Sequence, residues 1–151
     1  MVNIRELAVG SIVTVKVGVI RYFVQVVEIL RDDRISVIWL EAVYNHEDYI
    51  IGKIYIFPLE QVHGISFSQV DMSRFGFTNS DEKGWQMVYW FGVDMKLLYR
   101  YDKQRMIGSF RFKTDYRKSY VRISCHLFHQ LQNIMRFLTG GELEFEFKAN
   151  G

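Results

Sequence analysis

For most of its length the chain consists of short β-branched and aromatic runs joined by connectors of a few residues. A parallel pair of strands needs a crossover of about a dozen residues or more. RDDR (residues 31–34), DKQR (102–105) and TDYRK (114–118) are too short to supply one. The runs they join are therefore expected to pair antiparallel, each beside the next.

Near the N-terminus, Ile12, Thr14 and Lys16 alternate with Val13, Val15 and Val17. VIRYFVQVVEIL (19–30) follows, and RDDR is a turn. ISVIWLEAVY (35–44) reads as a third strand, NHEDYIIG (45–52) as a loop and KIYIFPLEQV (53–62) as a fourth strand. Short strands at this density predict a small β-barrel or a bent antiparallel sheet over residues 1–64. The only proline, Pro58, is expected where its strand ends, because proline cannot donate to a central ladder.

Residues 65–151 change character. SFSQVDMSRFGF (66–77) predicts a short helix capped by Ser68, with Asp71 completing a capping box and Gly76 as the left-handed residue after it. TNSDEKG (78–84) reads as a polar loop and the joint between two lobes. WQMVYWFGVDMKLLYRY (85–101), MIGSFRFK (106–113) and SYVRISC (119–125) read as three strands. A closing helix follows, ending at Gly140. At about 100° per residue, Leu127, Phe128, Leu131, Ile134, Met135 and Leu138 share one side. His126, His129, Gln130, Gln132, Asn133 and Arg136 share the other, with Phe137 stranded among them. ELEFEFK (142–148) alternates as a final half-buried strand. The expected class is α+β. The N-terminal barrel or bent sheet is followed, over 65–151, by an antiparallel sheet packed by one amphipathic helix and closed by a strand.

Apolar residues make up 49% of the chain, enough for a core without metal or disulfide staples. Cys125 is the only cysteine and has no internal disulfide partner, which fits a reducing compartment. The N-terminus does not read as a secretory signal, and the apolar runs are short of a membrane span. A soluble, cytoplasmic protein is expected. The net charge is only +2, but it is unevenly placed. Residues 1–70 hold six Lys/Arg against eight Asp/Glu, whereas residues 96–124 hold nine against two. Such a stretch can attract an anionic partner locally, although a solvated outer sheet face is the favoured account of it, since alternating strands must expose something polar.

Few motifs point to chemistry. Cys125, His126 and His129 are neighbours, but a structural zinc site wants a fourth ligand, and His46 and His63 are distant in sequence. Cys125 and His126 are adjacent and do not face each other on a helix. Asp32-Asp33 and Glu47-Asp48 lie in a turn and a loop. No glycine loop for phosphate is present. IGSFRFKTDY (107–116) carries Phe110, Phe112 and Tyr116 beside Arg111 and Lys113, a basic–aromatic strand that could stack bases. Its glycine–aromatic spacing does not match an RNA-recognition strand, and strand aromatics are commonly core.

Three segments together resemble a family of small proteins from Bacteroidetes genomes, their prophages and crAss-like phages. ELAVGS (6–11) resembles the family's E-L-R-I-G-N. VHGISFSQVDMSRFGF (62–77) is similar to I-x-P-I-x-L-T-x-x-x-L-x-x-x-G-F. HQLQNIMRFLTGGEL (129–143) resembles H-Q-L-Q-N-L-Y-F-A-L-T-G-E-E-L. Met135, Arg136, Phe137, Gly141 and Gly64 depart from the pattern. The resemblance implies a phage or mobile-element origin and a host-cytoplasmic setting, and carries over no activity and no catalytic residue.

Taken together, these features suggest a non-enzymatic accessory protein that acts by binding. Its concrete form would be an anti-defence sponge sequestering a nucleotide-like immune signal. The candidate ligand-binding residues are Arg111, Lys113, Tyr120 and Arg122, with His129, Asn133 and Arg136 from the polar side of the helix. The expected partner is an anionic small molecule or nucleotide. A homo-oligomer is compatible, nucleic acid is disfavoured and no membrane contact is expected. No cofactor, metal or catalytic residue is assigned. The alternative is a protein–protein module engaging a host or virion protein through the N-terminal barrel. An enzyme ranks last.

Overall fold

A computed structural model describes residues 2–42, 48–92, 94–114, 120–141 and 145–148. The chain forms two compact units, Met1–Ile65 and Ser66–Gly151. Among the described residues no helix is long and apolar enough to cross a membrane.

The first unit is one antiparallel sheet. Its strands are β1 (Ile12–Val17), β2 (Ile20–Ile29), β3 (Arg34–Trp39), β4 (Ile54–Pro58) and β5 (Val62–His63), in the order β4-β3-β2-β1-β5. The two-residue turn between β1 and β2 starts at Gly18, φ 66°, a conformation open to glycine at little cost. Period-two alternation puts Val13, Val15, Val24, Val26, Val37 and Trp39 on one face, all fully buried. Trp39 stacks on Tyr49 with ring centres 4.5 Å apart.

Of the two expected forms, barrel or bent sheet, the barrel is not closed. The sheet ends at β4 and β5, and β5, with two residues, offers too short a ladder for β4 to join. RDDR is a turn, with Asp33 in the left-handed region at φ 51°. The third strand stops at Trp39 instead of running to residue 44, and residues 43–47 lie outside the described residues.

The second unit is a five-stranded antiparallel meander under one helix. Its strands are β6 (Thr78–Asn79), β7 (Met87–Phe91), β8 (Met95–Asp102), β9 (Ile107–Thr114) and β10 (Tyr120–Cys125), in the order β10-β9-β8-β7-β6. The helix α1 (Phe128–Thr139) buries Phe128, Leu131 and Met135. Phe128 stacks on Phe75 at 4.0 Å between ring centres and meets Phe145 at 5.4 Å. Gln130 anchors the start of the helix: its side-chain oxygen accepts the amides of His126 and Leu127, each at 3.1 Å. Gly140, φ 64°, ends it as expected.

Several expectations need correction. The run at 85–101 is a hairpin, because Gly92 takes φ 59° and turns β7 into β8. Part of the expected loop at 78–84 pairs with β7 as β6. The short helix is a 3-10 turn, Met72–Phe75, capped by Asp71 and not Ser68. Asp71 accepts from the Ser73 amide at 3.0 Å and hydroxyl at 2.7 Å, whereas Ser68 bonds Ser66. The closing strand is absent from residues 145–148, which join neither sheet. Phe145 is instead buried against Phe77 and Phe128, and the Lys148 amide donates to the Arg74 carbonyl at 2.7 Å. Residues 142–144 lie outside the described residues.

Gly76 follows the 3-10 turn at φ 93°, and a Cβ there would lie 2.7 Å from Cε2 of Tyr89. Gly76→Ala combines left-handed strain with that clash. It should lower unfolding free energy by roughly 1–3 kcal/mol, measured by urea denaturation.

Candidate functional site

Pairing in the second sheet decides which side chains share a face. Arg122 lies opposite Arg111, and Tyr120 opposite Lys113. Ser109 lies between Ser124 and Arg100, and Lys113 between Tyr120 and Lys96. These residues share the face away from the core, while Tyr99, Phe110, Phe112 and Ile123 are buried.

Like charges directly opposite destabilise a sheet. Here aromatic rings stand between them. Arg100 and Arg111 lie 4.9 and 5.2 Å from the centre of the Trp85 ring. Arg111 and Arg122 lie 4.1 and 5.5 Å from that of Tyr120. The result is a ladder in the order Arg100, Trp85, Arg111, Tyr120, Arg122. Each such contact contributes about 0.5–1 kcal/mol when exposed and more when desolvated. Arg122 Nη2 also donates to the Tyr120 hydroxyl oxygen at 3.2 Å. That hydrogen bond, with the charges of Arg122 and Arg111, holds the Tyr120 phenol below its ordinary range.

The nearby carboxylates are engaged elsewhere. Glu82 takes both lysines, receiving Lys96 on one oxygen and Lys113 on the other at 3.1 Å. The hydrogen bond from Lys96 is the main reason its carboxyl is held below the usual range. Asp102 lies 4.0 Å from Arg105 and accepts the amides of Gln104 and Arg105 in the β8–β9 turn. Among the described residues no carboxylate comes within 4.0 Å of Arg100, Arg111 or Arg122. The Arg111 Nε is buried, with no hydrogen-bond partner among them.

The ladder borders a groove of about 360 Å³, whose walls include Trp85, Arg100, Arg111, Arg122, Ser109 and Ser124, together with the Asp102–Arg105 pair. That volume suits a small molecule. Guanidinium groups are planar donors that grip phosphate or carboxylate in pairs. Apart from the Tyr120 hydroxyl, which accepts one N–H of Arg122, the aromatic residues offer ring faces to them, so donor positions remain for an oxyanion.

Of the residues singled out from sequence, Arg111, Lys113, Tyr120 and Arg122 share this face, with Lys113 held by Glu82. The helix residues are placed differently. His129 is fully buried and Gln132 nearly so, which corrects their assignment to a solvated side. Arg136 donates to Asn133 at 3.3 Å. Asn133 borders a second cavity, of about 480 Å³, that Arg122 also borders. Phe110 and Phe112 are core, so the stacking rings come from elsewhere. Trp85, Arg100 and Glu82 were missed. Arg100 follows from period two on β8, whereas nothing local marks Trp85 or Glu82. Tyr116 lies outside the described residues.

Cys125 is buried, and burial pushes its thiol up to about 12, so it is a poor nucleophile at neutral pH. Among the described residues no three His, Cys, Asp or Glu side chains are grouped to hold a metal ion. No protein-family model, curated protein or solved structure matches this chain.

The cationic ladder is directly readable in solution. Tyr120 should ionise at lower pH than an ordinary phenol, seen as the ultraviolet difference between the protein and Tyr120→Phe. Because the shift comes from stabilised phenolate, Arg122→Ala should move that ionisation upward.

Proposed function

We propose that the protein is a non-enzymatic binding protein that sequesters an anionic, ring-bearing small molecule, a nucleotide-like signal, in the Arg100–Trp85–Arg111–Tyr120–Arg122 groove. The supporting observation is the alternation of two aromatic rings with three arginines that have no carboxylate within 4.0 Å among the described residues. Phosphate would engage the guanidinium forks and a base would lie against ring or guanidinium faces. The resemblance to phage and mobile-element proteins supports a host-cytoplasmic setting and carries no activity of its own. The groove's volume, about 360 Å³, favours a small molecule over a nucleic acid strand.

Thermal shift and calorimetry against cyclic and linear nucleotides test this reading. A member of the panel should raise the melting temperature, and Arg111→Ala and Arg122→Ala should each weaken it by roughly tenfold, about one charge-assisted hydrogen bond. No shift at millimolar nucleotide, or equal binding by both variants, refutes it. Tight binding of a single-stranded oligonucleotide with a steep salt dependence would mark a polymer site instead.

A protein–protein module engaging a host or virion protein is the second reading. It draws on Ile50, Ile51, Ile54 and Ile56, exposed on and beside β4 in the first unit. Under it, Ile54→Asp with Ile56→Asp should abolish capture of a specific host protein while leaving the melting temperature unchanged.

A further inference from the structure

β10 is a sheet edge of an unusual kind. A free edge is a template for pairing with another chain, and proteins normally shorten, bulge or interrupt it. Two of the other sheet ends are shortened, β5 and β6 having two residues each, and the third, β4, has five residues of which the last is Pro58. β10 has six residues, no proline and an unbroken register with β9 from Tyr120 to Cys125. Among the described residues no strand lies beyond it.

The space beside that edge is a groove of about 480 Å³ between β10 and α1. Its walls are mainly apolar: Val121 and Ile123 from the strand, and Ile134, Phe137 and Leu138 from the helix. Phe137 is 87% exposed, an isolated aromatic side chain at the rim. Polar groups there come from Arg122, Ser124 and Asn133.

Charge selects the occupant. β9, β10 and α1 contain Arg111, Arg122 and Arg136 and not one carboxylate; their remaining cation, Lys113, is held by Glu82. A second copy pairing edge to edge would bring one cationic β10 against another with no acid from these elements to compensate. The described part of the chain's own acidic–apolar stretch, residues 145–148, is committed elsewhere, since Phe145 is buried against Phe77 and Phe128. An acidic chain from another protein has the complementary charge.

We infer that β10 and α1 form a docking site for an extended acidic peptide of a partner protein, which adds as a sixth strand to the second sheet. Alternation sets its pattern. Residues of one parity enter the groove beside Val121, Ile134 and Phe137 and must be apolar. Residues of the other parity lie on the face of Arg122 and Arg111 and are acidic. Six residues of β10 span about 20 Å at roughly 3.4 Å each, so the recognised motif is a hexapeptide alternating acidic and apolar residues. The site adjoins the anion groove and shares Arg122, Ile123 and Ser124 with it, whereas Val121, Ile134 and Phe137 border only the peptide site.

The test uses the full chain and an acetylated, amidated hexapeptide alternating glutamate and leucine. Its controls are a lysine–leucine counterpart and a glutamate–leucine version with alternate backbone amides methylated. Only the unmethylated acidic peptide should bind, and it should slow amide exchange along residues 121–124. Phe137→Ser, at an exposed position, should weaken it by roughly tenfold, the scale of one lost apolar contact, while nucleotide-induced thermal shifts stay unchanged. Equal binding of the lysine peptide removes the charge argument, and equal binding of the methylated peptide removes strand addition. No binding at millimolar peptide overturns the site altogether. Concentration-dependent dimers in light scattering, broken by Phe137→Ser, would assign the edge to a second copy instead.

Discussion

Register between β8, β9 and β10 is the constraint on which the second unit depends. The ladder runs without a bulge from Met95 opposite Thr114 to Asp102 opposite Ile107, and from Tyr120 opposite Lys113 to Cys125 opposite Gly108. A slip of one residue would turn Phe110 and Phe112 outward and Arg111 and Lys113 into the core. Burying an unpaired guanidinium costs several kcal/mol, so the two faces enforce one another. Close packing at Gly108 adds to this, because a Cβ there would lie 2.8 Å from Phe67 and Phe110. The position of the arginine row is thus a consequence of where the rings pack.

What was legible in the sequence follows the range of each interaction. Alternation at Ile12–Val17, the RDDR turn, Pro58 at the end of β4 and Gly140 after α1 are local, and each is where the residues imply. Barrel closure is a relation between the first and last strands, which no local pattern encodes. The run at 85–101 looked like one strand because apolar residues flank Gly92 on both sides, and only its positive φ reveals the turn. The closing ELEFEFK stretch has strand alternation in full, yet Phe145 is held by rings, not by a neighbouring ladder.

The site divides along the same line. That Arg111 and Arg122 share a face follows from pairing adjacent strands, so the basic stretch was informative. Trp85 lies outside any strand, and its placement between Arg100 and Arg111 is purely tertiary. The helix misled for a different reason. A single apolar stripe suggests that everything opposite is wet, but α1 is buried over a wider arc, taking in His129 and Gln132. Its first turn is drawn inward by the bridge between Ser66 and Leu127 and by the stack of Phe128 on Phe75.

Glu82 occupies two ammonium groups with one carboxylate and leaves the guanidinium groups alone. The two kinds of cation are not equivalent. An ammonium group is a compact, strongly hydrated point charge, whereas a guanidinium is a flat fork that rewards oxygens in matching positions. With the lysines withdrawn, the groove is furnished mainly with directional donors. A spherical ion such as chloride can satisfy few of them at once, while a tetrahedral or trigonal oxyanion can satisfy several. On the proposed reading, sharing a single acid between two lysines would make this surface a discriminator of anion shape, less prone to occupation by the simple halides that surround any protein in salt.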